Sequence, residues 1–167
     1  MAKTVYIGVI FLSMLISQEF VVDPYLQSAT QSSIYIMWET DSNSESRVEW
    51  GEWPTLGEIT TGTAVSVYGN SQLHTVQLTN LHPSRRYYYK VVTGNLASEI
   101  YDFIIPSDPL DESSFKLVAM SDMQRDYLNP NKFEEIVHDG ILTYLADEYT
   151  GDLPNDLQMV LIPGDLV

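Results

Sequence analysis

Leu81-His82-Pro83-Ser84-Arg85-Arg86-Tyr87-Tyr88-Tyr89-Lys90-Val91-Val92 is a turn built on proline that runs into a strand. Proline fixes one backbone dihedral of the turn, and the aromatic and β-branched run after it suits a pleated, half-buried surface. Side chains alternate across a strand, so Tyr88 is expected to face away from Tyr87 and Tyr89. The run then reads as core plus surface, not as a stacking platform for a ligand. On its N-terminal side, Ile34, Ile36 and Trp38 alternate with Tyr35 and Met37. That period of two predicts a strand with one face in a core, with Trp38 as its large core residue. Arg47 to Gly51, Val65 to Tyr68, His74 to Leu78 and Ile100 to Ile104 supply further short strands, separated by turn residues. Strands at this spacing predict a β-sandwich between residues 23 and 106.

The pattern changes after Pro106. Pro106-Ser107-Asp108-Pro109-Leu110-Asp111-Glu112-Ser113-Ser114 is too polar and proline-rich for a core strand, which makes residues 107–114 an exposed linker. Beyond it, Phe115 to Met120 leads to Ser121-Asp122, and Met159 to Ile162 leads to Pro163-Gly164-Asp165. The second of these strands, from Leu157, is almost continuously apolar and is expected to be buried on both faces. Between them, Phe133, Val137, Ile141 and Leu145 recur every four residues, with Ile136 and Tyr144 widening the stripe. This predicts an amphipathic helix, with Asn131 and Glu134 as a capping box, Gly140 as a weak point and Gly151 as a left-handed C-terminal cap. Strand, helix, strand with parallel strands brings the residues past both carboxyl ends to one crevice. Two carboxylates held there need a proton, a cation or abundant water, and one or two divalent metals give the arrangement a purpose.

Composition narrows the partners. The 167 residues hold 8 basic and 23 acidic side chains, for a net charge of −15. Nucleic acid and anionic membrane are excluded as partners, because phosphate binding draws on Lys and Arg. The chain has no cysteine, which excludes thiol catalysis, disulfide scaffolds and zinc fingers. Lys3 ahead of the apolar run from Val5 to Ile16, closed by Ser17 and Gln18, reads as a signal peptide over residues 1–17. Its removal leaves no stretch able to span a bilayer, so a secreted, periplasmic or extracellular location is expected.

Ser121-Asp122-Met123-Gln124 and Pro163-Gly164-Asp165-Leu166-Val167 resemble the first two metal motifs of the calcineurin-like metallophosphoesterases. The region before them resembles the fibronectin-III-like N-terminal domain of purple acid phosphatases, with Leu81-His82-Pro83 and Tyr87 as its corner. In that corner the tyrosine hydroxyl hydrogen-bonds back to the chain. The resemblance implies a mainly β fold: a sandwich at 23–106, then the first βαβ unit of an α/β metallophosphoesterase domain at 115–167, incomplete because the family's later histidine motifs have no counterpart here. It implies an N-terminal portion, inactive alone, of a secreted hydrolase that cleaves a small phosphate ester by metal-bound hydroxide. Asp122 would hold the first of two metal ions (Fe, Zn or Mn), and Asp165 would bridge both. Gln124 stands where the wider superfamily has histidine; it would bind metal weakly, hydrogen-bond a metal-bound water or hold Asp122 in place. Arg125 is a candidate contact for the substrate phosphate. Of the histidines, His74 reads as a surface or edge residue of a strand, His82 as part of the turn, and His138 as a helix residue remote from the strand ends. A different class of function also fits: an extracellular binding or adhesion module whose phosphatase-like half is degenerate.

Overall fold

The structure is a computed structural model and describes residues 18–41, 45–69, 71–112, 114–121 and 127–164. Two antiparallel sheets face each other. One is ordered β1 (Phe20–Gln27), β2 (Ser33–Thr40), β6 (Gln72–Thr79), β5 (Thr63–Ser66). The other is ordered β4 (Glu58–Thr61), β3 (Arg47–Gly51), β7 (Arg86–Thr93), with β8 (Leu96–Ala97) and β9 (Tyr101–Ile104) both paired to the far side of β7. The expected sandwich is present, and its alternation is that of the sequence. Ile34, Ile36, Trp38 and Thr40 point inward from β2, and Tyr87, Tyr89 and Val91 point inward from β7. The Tyr87 hydroxyl accepts a hydrogen bond from the His82 backbone N–H at 3.0 Å, which closes the corner.

Four strands differ from expectation. β1 begins at Phe20, ahead of the expected boundary, and its register slips between Phe20 and Val22 and again across Asp23-Pro24. An edge strand tolerates such a proline because the missing N–H faces no partner. β4 and β8 had no sequence signal, being polar or two residues long. The strand expected at Val65 to Tyr68 runs instead from Thr63 to Ser66. Gly62 explains the shift: the chain leaves one sheet at Thr61 and joins the other at Thr63. There a Cβ would stand 2.0 Å from the Thr75 carbonyl oxygen, so only glycine lets the crossing pass so close to β6.

After the exposed residues 106–112, β10 (Leu117–Ala119) and β11 (Met159–Leu161) form a separate parallel pair. They are connected by a helix composed of α1 (Lys132–Glu135), a π-helical segment (Ile136–Leu142) and α2 (Thr143–Glu148), then a short α3 (Leu153–Asp156). The helix starts after Asn131 as expected, yet Asn131 makes no side-chain capping bond, so the capping box is not formed. The π-helical segment surrounds Gly140, the residue expected to weaken the helix. Gly151 has φ +72°, the left-handed conformation expected near the helix end. The expectation that the last strand is buried on both faces is overturned. Met159, Val160 and Leu161 are 45%, 44% and 47% exposed, because one helix and a two-stranded sheet cannot cover both faces of their own strands.

Candidate metal centre

Parallel pairing is what any shared site at the two strand ends requires, and the described residues provide it. Leu117 pairs with Met159, Val118 with Val160 and Ala119 with Leu161. The ladder extends at both ends: the Gln158 N–H donates to the Lys116 carbonyl at 3.1 Å, and the Met120 N–H donates to the Leu161 carbonyl at 3.0 Å. The two chains therefore leave the sheet side by side and in the same direction. Asp122 follows Ala119 by three positions and Asp165 follows Leu161 by four. Gly164 has φ +155°, a backbone conformation that disfavours any side chain, and it immediately precedes Asp165. Asp122, Gln124, Arg125 and Asp165 themselves lie outside the described residues, as do residues 1–17 of the expected signal peptide.

The helix between the strands packs only loosely on them. An apolar groove of about 420 Å³ separates its Ile141, Tyr144 and Leu145 from Leu117 and Val118 of β10. Leu145 alone on this helix is buried. The loop before β11 is tighter. The Thr150 N–H and hydroxyl both donate to Asp156 Oδ2, at 3.0 and 2.9 Å, so the buried Asp156 carboxylate is satisfied locally.

Of the three histidines, His74 and His82 belong to the sandwich and His138 to the connecting helix. His74 corrects the sequence expectation: it is fully buried, on a strand flanked by β2 and β5. One ring nitrogen lies 2.8 Å from Thr40 Oγ1 and the other 2.8 Å from Ser46 Oγ, while the ring stacks on Trp38 with centroids 5.0 Å apart. Trp38 Nε1 in turn donates to Thr93 Oγ1 across the sandwich at 2.9 Å. Burial lowers the His74 pKa, keeping the imidazole neutral. This is a structural histidine that ties the two sheets. His82 is exposed in the corner, and His138 is exposed on the helix. Among the described residues no group of three or more acidic, histidine or cysteine side chains could hold a metal ion.

The family model for the purple acid phosphatase N-terminal domain matches residues 22–104. The chain carries a purple acid phosphatase-like N-terminal domain. Its limits agree with the sandwich from β1 to β9. Among solved structures, a purple acid phosphatase from yellow lupin (Lupinus luteus) is similar over 83% of this chain, at 20% identity and TM-score 0.52. A structure of PhoD is similar over 86% of this chain, at 14% identity and TM-score 0.55. At these identities the likeness is one of fold. It extends beyond the purple acid phosphatase-like domain, since residues 22–104 are about half of the chain and the shared fold covers well over that. The chain spans 34% of the lupin protein and 27% of PhoD. No match was found among curated proteins. Among the described residues, no helix is long and apolar enough to cross a membrane.

Proposed function

We propose that this chain contributes the sandwich and the first metal-ligand strands of a secreted, metal-dependent phosphoric ester hydrolase. The observation that carries the reading is the parallel β10–β11 pair, each strand of which is followed within four residues by an aspartate. Its support is the family of the preceding domain and the continuation of the shared fold beyond it.

The donor chemistry fits hard or borderline cations. Asp122 and Asp165 would provide carboxylate oxygens, and Gln124 a neutral amide oxygen. A pair of metal ions, when bound, supplies positive charge toward a phosphoryl group and acidifies water. The protein's own part is positional. The ladder from Lys116 to Met120 fixes both strands in one register, so the segments bearing the carboxylates start from a common edge. The overall charge of −15 gives cations a further role, because an anionic ester approaching this surface is otherwise repelled. Arg125 would add a cation at the rim. The Lys3-led apolar segment supports secretion.

The test is metal-dependent hydrolysis of p-nitrophenyl phosphate by the complete gene product. We expect activity that is lost on chelation and falls at least about 100-fold in Asp165→Asn, the scale of removing one charge-stabilising group. Unchanged hydrolysis in that variant contradicts the assignment. A complete product with no hydrolysis in the presence of Fe, Zn or Mn favours the extracellular binding-module reading.

A further inference from the structure

One guanidinium joins the sandwich to the βαβ unit. Arg86 opens β7, and its Nη1 donates to Asp102 Oδ2 of β9 while its Nη2 donates to Asp152 Oδ2. Arg86 pairs in register with Ile104, so Asp102 is its diagonal neighbour on the outer face of the same sheet. Asp152 belongs to neither sheet of the sandwich. It sits in the turn before α3, and α3 rests against β9.

The turn that carries Asp152 is internally braced. The Asp152 N–H donates to Thr150 Oγ1, the N–H groups of Asn155 and Asp156 donate to the Asp152 carbonyl, and Thr150 is tied twice to the buried Asp156. A braced turn transmits a restraint, whereas a loose one would absorb it. The restraint passes directly to the second strand: Leu157 N–H donates to the Leu153 carbonyl, Gln158 N–H to the Lys116 carbonyl, and β11 begins at Met159. The helical packing offers little competition, since the groove beside β10 leaves the helix half-exposed.

We infer that Arg86 is a latch that sets the βαβ unit on the sandwich, by holding Asp102 and Asp152 with its two terminal nitrogens. Arginine suits this role because its planar fork addresses two carboxylates at once, which a lysine ammonium does as a point charge on a flexible stem. The latch makes the sandwich a positioning element for β11, a role that does not depend on what the strand ends bind.

The test is amide hydrogen exchange on the whole chain. Arg86→Met and Asp152→Asn should each speed exchange at residues 153–161 by about two- to five-fold, the range for a partly exposed ion pair opening locally, with residues 33–40 of β2 unchanged. Asp152→Asn leaves the sandwich's own side chains intact, so it reads the latch even where Arg86→Met disturbs the sheet. The double variant should exchange no faster than the faster single one, because both remove the same pair. Arg86→Lys should fall between wild type and Arg86→Met, and 1 M salt should bring the wild-type rate close to that of Asp152→Asn. Wild-type exchange at 153–161 in Asp152→Asn, or effects that add in the double variant, overturns the latch.

Discussion

A single imidazole shows how parity within a strand outranks residue type. His74 shares its face of β6 with Val76 and Leu78, and Thr40 extends the inward row of Ile34, Ile36 and Trp38. That spacing was in the sequence, but the polar character of histidine pointed to the surface. What brings it inside is the pair of hydroxyls that satisfy both ring nitrogens, and these come from Thr40 of β2 and from Ser46 just before β3, both far from His74 in sequence. A pH dependence follows. The native pKa lies below the ordinary 6.5 because of burial, so the unfolded chain takes up the proton first as pH falls. The His74 contribution is therefore intact above pH 6.5 and is lost progressively below it. Urea unfolding of wild type and His74→Gln from pH 8 to 5 checks this: the wild type should lose more stability over that range, and parallel curves would contradict it. Tyr87→Phe should cost about 1–2 kcal/mol, measured the same way, because the His82 N–H loses its acceptor in a partly buried corner.

Among the elements, those with strong periodicity were legible and those set by crossings or edges were not. β2, β3, β6 and β7 carry inward rows that only a strand explains. β4 is a polar edge strand, and β5 is placed by the single-residue crossing at Gly62, which no local pattern marks. Gly62→Ala should destabilise the chain by at least about 2 kcal/mol, since its Cβ meets the Thr75 backbone and no flexible side-chain end can yield. Thermal denaturation reads this directly. Gly140 is the opposite case. A Cβ there meets open space, so Gly140→Ala should gain about 0.5–1 kcal/mol and raise the helical circular dichroism signal. A loss would show that the π-helical segment needs the glycine.

For the whole molecule, the sandwich was readable from alternation and turns, whereas the candidate centre was readable only as far as the strands that lead to it. The parallel pairing of β10 with β11 was expected from strand–helix–strand order and is observed. β11 is half-exposed despite its apolar sequence, because an apolar run tells what a strand tolerates, not what covers it. The roles of Asp122, Gln124, Arg125 and Asp165 rest on the segments beyond the ladder. The most direct measurement is titration of this chain with Mn²⁺, read as loss of the free-ion electron paramagnetic resonance signal. The account predicts a saturable site that is weakened at least about tenfold by Asp122→Asn and likewise by Asp165→Asn, as losing a carboxylate ligand should, while Asp147→Asn on the exposed helix leaves it unchanged. Equal weakening by all three substitutions would mean that the acidic surface alone attracts the ion, and the shared centre at the two strand ends would be contradicted.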